Sequence, residues 1–260
     1  MSVDTGLIID THAHYDDRWF DEDRGELLAG LKENGVGTVI NVGASWRGCG
    51  AAVELSREWD FIYAAVGLHP DETGCLDDQK IEQMRAWAGK EKKVVAIGEI
   101  GLDYHNDVEP HDYQRECFVR QMKLANELGL PVSVHSRDAV QDTWDIVSAN
   151  AGERRGVIHA FSSSLEMARK YIDLGFYIGV GGVVTFKNGR KLKEVVAGIP
   201  LEWILLETDA PYLAPVPFRG KRNNSAYLTY VVQTIAQLKG VTEEEVIETT
   251  GRNAVNLFGL

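Results

Sequence analysis

The sequence predicts an α/β fold of the (β/α)8 TIM barrel class, allowing some departure from the ideal cylinder. Three observations point there. Short apolar runs rich in Val and Ile recur along the chain, stretches with helical spacing separate them, and eight strands each followed by a helix fill roughly 250 residues, the size of one barrel. A doubly wound open sheet is the alternative that the same alternation permits. No Pro-, Gly- or Ser-rich linker, low-complexity tract or short-period repeat interrupts the chain, so residues 1–260 read as a single domain.

The elements follow in order. The first strand is "LIID" (7–10), and amphipathic spacing over 22–34 gives the first helix. "TVINVG" (38–43) precedes a helix at 48–59, and "IYAAVG" (62–67) one at 77–89. "VVAIGE" (94–99) leads to a helix at 111–129, and "PVSVH" (131–135) to one at 138–151. "GVIHAF" (156–161) and "FYIGVGG" (176–182) are followed by helices at 164–174 and 188–197. "WILLET" (203–208) is the last strand, with two helices after it near 224–239 and 242–257.

Composition narrows the class. With 44% hydrophobic residues the chain can bury a large core, and no segment approaches the ~18 consecutive apolar residues that a membrane span needs. The opening "MSVDTGLIID" lacks the basic and apolar regions of a signal peptide, so a cytoplasmic protein is expected. Cys49, Cys75 and Cys117 are widely spaced and form no CxxC pair, which suggests reduced packing residues rather than disulfides or a thiolate zinc site. A formal charge of −12 argues against coating nucleic acid through a broad basic surface, although a locally basic cleft stays open. No obligate protein partner is evident.

Active sites of barrels form where strands end and βα loops begin. Those ends carry His12 and His14, Asn41, His69, Glu99, His135, His159, and finally Glu207 with Asp209. In "IIDTHAHYDD" (8–17) the two histidines stand two apart and share a strand face, making a chelating pair. The same alternation groups Val95 and Ile97 with Glu99, and Trp203 and Leu205 with Glu207 and Asp209, so both late carboxylates are expected to point inward. A lone histidine after a strand is more often a hydrogen-bonded structural residue. Five of the seven histidines at strand ends, with carboxylates beside them, point instead to metal.

Imidazole and carboxylate donors suit zinc or manganese, whereas magnesium prefers mostly oxygen. Six candidate ligands are too many for one four-coordinate ion, so two divalent ions bridged by a carboxylate are expected, with Glu99, midway round the barrel, as the bridge. His105 and His111 fall in a polar segment and read as loop or helix-start residues, with Asp103 and His105 placed to line the mouth.

The motifs "DTHAHYDD", "VGLHPDE", "IGEIGLDYH", "PVSVHSRDA", "VIHAFSSS" and "LLETDAPYLAPVPFRGKRN" resemble, in order, those of the TatD family of metal-dependent deoxyribonucleases in the amidohydrolase-like barrel superfamily. The resemblance runs from about residue 7 to 258 and implies a barrel of the metallo-dependent hydrolase type. It implies that His12, His14 and Asp209 bind one metal, that Glu99 bridges to a second held by His135 and His159, and that Glu207 and His69 sit beside them. It also implies 3′-end trimming of DNA, with Mg²⁺ as the usual metal of the activity. Ala160 and Ser163 stand where the family often has Cys and Gly, and Asn224-Ser225 stands after "RGKRN" in place of a common Glu-Pro, which opens the question of how the next helix begins.

A dinuclear centre with two carboxylates stays electron-poor enough to hold a hydroxide and an anionic phosphate together, and a phosphodiester substrate fits it. Asp209 is the expected base for the attacking water, with Glu207 holding it or a neighbouring ligand; a buried structural acid is the plainer role for Glu207. His69 would donate to a phosphate or leaving oxygen, or simply support the "GLHP" turn. Arg219, Lys221 and Arg222 in "FRGKR" are candidates for a phosphate clamp, against the alternative of a solvated basic turn. Without an aromatic-rich basic stripe, single-stranded DNA ends or short oligonucleotides are the expected partners rather than long tracts. The competing activity is amide or ester hydrolysis, such as removal of a D-amino acid from tRNA, and the competing class is a noncatalytic binding barrel.

Overall fold

The apolar runs become strands because their Val- and Ile-rich side chains can be covered on both faces, inside by one another and outside by helices. The structure, a computed structural model describing residues 3–106 and 108–260, contains β1 (Ile8–Ala13), β2 (Val36–Gly43), β3 (Ile62–Val66), β4 (Val94–Asp103), β5 (Val132–Arg137), β6 (Gly156–Ile158), β7 (Tyr177–Val180) and β8 (Ile204–Leu206). They pair in parallel in the order β1 to β8, the TIM-barrel arrangement that the sequence predicts. β8 returns to β1 only through a single parallel bridge, Ala13 with Ala210, so the cylinder is nearly closed at this seam rather than fully laddered.

The helices are α1 (Arg24–Ala29), α2 (Trp46–Glu58), α3 (Asp78–Lys90), α4 (His111–Leu128), α5 (Val140–Asn150), α6 (Leu165–Asp173), α7 (Arg190–Gly198), α8 (Leu228–Lys239) and α9 (Glu243–Phe258). Four begin on side-chain caps that satisfy a free backbone N–H, from Ser45, Asp77, Ser164 and Thr242. Ala254, Leu257 and Phe258 of α9 pack with Ile9, Ile40, Val42, Ala65, Val157 and Leu205 of the strands, and Asn253 donates to the carbonyls of Leu201 and Ile204 at 3.0 and 2.8 Å. None of the helices among the described residues is long and apolar enough to cross a membrane.

The expected boundaries move in instructive ways. β1 runs on to Ala13 and β4 to Asp103, while β6, β7 and β8 are shorter than their apolar runs. The expected helix over 22–34 is α1 followed by a separate 3-10 turn, Lys32–Asn34, and α8 starts only after a 3-10 turn at Ser225–Tyr227. Asn224 caps that turn by accepting from the N–H of Ala226, which is how the chain enters its penultimate helix.

Candidate metal centre

Strand alternation does not by itself bring the ligands inward. Ile9 packs with strand residues Ile40, Val42, Ala65 and Leu205 in an inner cluster, and Ile8 in the outer cluster that joins the strands to the surrounding helices, so simple alternation would send His12 outward. A register shift against β2 between Asp10 and Ala13 restores it. The expected grouping of Val95 and Ile97 with Glu99 fails in the same way, because Val95 belongs to the inner cluster and Ile97 to the outer one. A second shift, between Ile97 and Ile100, carries Glu99 into the pocket. Asp209 lies beyond β8 altogether, at φ 59°, so a left-handed turn rather than strand parity aims it.

Glycines make the room. Gly101 sits at φ 147°, where a Cβ would come within 2.0 Å of the His135 carbonyl oxygen. At Gly179 a Cβ would lie 2.3 Å from Glu207 Oε2.

The six expected ligands converge. His12 Nε2 and His14 Nε2 are 3.2 Å apart, and each is 3.7 Å from Glu99 Oε2. Asp209 Oδ1 lies 3.3 Å from His14 Nε2 and 3.6 Å from His159 Nε2. Glu99 Oε1 is 2.9 Å from His135 Nδ1 and 3.8 Å from His159 Nε2. His159 stacks on His12 with centroids 3.4 Å apart but lies 6.5 Å from His135. Donors therefore gather as His12, His14 and Asp209, as His12, Glu99 and His159, as His69, Glu99 and His135, and as His69, Asp71 and Asp103, while His135 and His159 approach each other through the Glu99 carboxylate.

Each imidazole ties one nitrogen to the protein and leaves the other facing the carboxylates. His14 Nδ1 donates to the Val42 carbonyl at 2.7 Å, and His12 Nδ1 meets Ser133 Oγ at 3.2 Å. His159 Nδ1 is 3.0 Å from Glu207 Oε2, and His135 Nε2 is 3.1 Å from Asp103 Oδ2. Tethers of this kind fix ring orientation and place the lone pair of the other nitrogen where a cation would sit. This donor chemistry fits a divalent metal. Glu207 bridges His159 and the next residue, its other oxygen accepting from the Ala160 N–H at 2.6 Å.

The charges agree. Burial works against charging His14, yet the Asp209 hydrogen bond and Glu99 hold it up to about 10 without metal. His135 is likewise held up to about 9, burial being outweighed by Asp103 and Glu99. Burial, reinforced by His159, pushes His12 down to about 4. Glu99 and Asp209 stay below the usual carboxylate range, burial being overcome by the surrounding imidazoles.

His69 behaves differently. Its Nδ1 accepts the Asp71 N–H at 3.2 Å, so when neutral it carries its proton on Nε2, which points toward Glu99 Oε1 at 3.9 Å. It packs edge-on against His135 at 4.4 Å, and burial lowers its basicity. In that tautomer the ring presents an N–H to the pocket, and the same nitrogen lies in reach of the Glu99 and His135 group. Asp103, which sequence reasoning placed only at the mouth, is saturated: it accepts from the N–H groups of His105 and Asn106, both at 2.9 Å, as well as from His135.

The basic loop divides. Arg222 grips Asp23 through two hydrogen bonds of 2.8 and 2.5 Å and donates to the Trp19 carbonyl, so the paired donors expected to hold a phosphate are occupied by a protein carboxylate. Arg219 lies 4.3 Å above the Phe186 ring and Lys221 5.8 Å from that of Phe218, both exposed.

Sequence reasoning missed Asp10, Thr208 and Asn223. Asn223 donates to the carbonyls of Thr208 and Tyr212 at 3.0 and 2.8 Å, clamping the turn that carries Asp209. An Asp ending the apolar run Leu7–Ile9, two residues before His12, is the signal that was available, and the structure buries it.

Residues 9–259 match the family model described as TatD related DNase. The chain is 43% identical over 253 residues to YabD of Bacillus subtilis strain 168, an uncharacterized metal-dependent hydrolase, with 97% of this chain and 99% of that protein covered. It is 37% identical over 256 residues to the Escherichia coli K12 protein YcfH, described in the same words, with 97% and 96% covered. The crystal structure of YjjV, a TatD homologue from E. coli K12, superposes with a TM-score of 0.93 at 32% identity, covering 99% of this chain and 100% of that one.

Proposed function

The chain belongs to the family of TatD related DNases, and we propose that this metal-dependent hydrolase cleaves phosphodiesters and trims single-stranded DNA from its 3′ end. One observation carries the reading: four tethered imidazoles and two ionised carboxylates face one pocket at a barrel mouth. Two divalent ions, Zn²⁺, Mn²⁺ or Mg²⁺, held by His12, His14, Asp209, Glu99, His135 and His159, would acidify a water and neutralise charge building on a phosphate oxygen.

The protein's own groups do the rest. Asp209, ionised and still partly open to solvent, takes the proton of the attacking water on its carboxylate. Glu207 and Asp103 keep His159 and His135 turned inward. His69 presents its Nε2 proton to a phosphate or leaving oxygen. Arg219 and Lys221, on the exposed loop after β8, supply positive charge for a nucleic acid strand.

The test is direct. Metal-free protein reloaded with Mg²⁺, Mn²⁺ or Zn²⁺ is offered end-labelled single-stranded DNA, RNA of the same sequence and an aminoacyl ester. The expected result is a ladder receding from the 3′ end of DNA, lost in Asp209→Asn while the fold is kept. Turnover of the ester alone would replace this reading with an acyl hydrolase.

A further inference from the structure

The seam between β8 and β1 is where the barrel has least backbone pairing, and it is flanked by two ligands of the same donor group, His12 and Asp209. Asp10 fills that gap. It is fully buried, and no lysine or arginine is among its hydrogen-bond partners. Its Oδ1 accepts the backbone N–H groups of His12 at 3.2 Å and Thr208 at 3.0 Å. Its Oδ2 accepts the hydroxyls of Thr208 at 2.7 Å and Ser225 at 2.6 Å. One carboxylate thus ties the residue just before Asp209 to the backbone of His12. The cross-seam bonds beside it, Asp209 N–H to the His12 carbonyl at 2.8 Å and His14 N–H to the Ala210 carbonyl at 2.7 Å, depend on that spacing.

The support extends one layer out. The Ser225 N–H donates to the Tyr15 hydroxyl at 2.9 Å, and the Tyr15 and Ser225 hydroxyls are 2.7 Å apart. A proline at 225 could make neither the N–H bond nor the hydroxyl bond to Asp10, so Ser225 gives this chain a second tie across the seam.

We infer that Asp10 is a positioning residue: through Thr208 and the His12 backbone it sets the separation of His12 and Asp209, and with it the affinity of the cation they share. Glu99 and His135 are carried by β4 and β5, which pair on either side of the shift at Ile97–Val132 and Gly101–His135, and none of those pairings runs through Asp10. Loss of Asp10 therefore weakens the cation of His12, His14 and Asp209 more than the one beside Glu99, which loses only the contribution of His12. A merely structural acid would lower stability and leave the two affinities in their original ratio.

The inference rests on the metal-centre reading above, and Co²⁺ titration of metal-free protein, followed by absorption and calorimetry, separates the two. Wild-type protein is expected to take two equivalents, and His14→Ala to lose one. In Asp10→Asn, where an amide NH₂ replaces the oxygen that accepts two hydroxyls, one equivalent should bind ~10–100-fold more weakly and the other should shift by less. Thr208→Val, which removes a hydroxyl and keeps the shape, should shift the same equivalent in the same direction, and it decides the matter if Asp10→Asn does not fold. Unchanged binding of both equivalents in Thr208→Val, or equal weakening of both, overturns the role of Asp10. Wild-type protein that takes no Co²⁺, or is unaffected by His14→Ala, overturns the centre itself.

Discussion

Loading the metal-free protein should expel protons from the imidazoles that the surrounding carboxylates hold charged. His14 and His135 are held at about 10 and about 9 by Asp209, Glu99 and Asp103 against the cost of burial, so both are almost wholly protonated at about pH 7.5. His12, at about 4, is already neutral. Ligation requires neutral imidazole, so binding displaces about two protons at that pH. His159, also raised above its ordinary value, adds to the count. At about pH 9.5 His14 remains roughly three-quarters protonated and His135 roughly one-quarter, and the release from the pair falls to about one. Titration calorimetry in buffers of different ionisation enthalpy measures the number from the slope of apparent enthalpy. The affinity should climb with pH across the same range. The metal-free fold has the opposite trend: stabilisation from His14 and His135 is complete below the unfolded value of 6.5 and is lost as pH rises through 9 and 10. The His12 contribution is complete above 6.5 and lost as pH falls toward 4. A release well below one proton at about pH 7.5 would mean that the rings are neutral before metal arrives, and the proposed hold of the carboxylates on them would be wrong.

Glu207→Gln places an NH₂ or a single carbonyl against His159 Nδ1; with the NH₂ there the ring proton moves to Nε2, so metal affinity should fall ~10–100-fold with little change in the melting curve. Wild-type affinity would remove Glu207 from its supporting role. His69→Ala should leave metal stoichiometry intact and slow turnover by ~10²–10⁴, as expected for loss of a proton donor; loss of an equivalent of metal would make it a ligand instead. Arg222→Ala should cost about 1 kcal/mol of stability in a denaturant titration, since its pair with Asp23 is partly solvent-screened, and leave KM for DNA unchanged. A large rise in KM at unchanged stability would restore it to the phosphate clamp.

What the sequence makes legible is set by how local the cause is. The eight strands and nine helices of the described residues could be read because hydrophobic periodicity is a property of neighbours along the chain, and the convergence of histidines and carboxylates could be read because the barrel puts strand ends at one mouth. The route by which the ligands arrive was not legible. His12 and Glu99 turn inward because β1 slips against β2 and β4 against β5, and a register shift belongs to a pair of strands rather than to either one. Asp209 is aimed by a left-handed turn clamped by Asn223 and, through Thr208, by Asp10, residues 14 and 199 positions away in the chain. Arg222 shows the limit from the other side. Its type and its place after the β8 carboxylates suggested a phosphate, but a guanidinium binds whichever carboxylate or phosphate oxygens the fold brings within reach, and here Asp23, 199 positions away in sequence, is the group that arrives. Residue type states what a side chain is able to bind, and the pairing of distant segments decides what it does bind. The gathering of six groups could be read from sequence because each needed only to reach a common mouth, whereas the contact made by Arg222 depended on one particular neighbour.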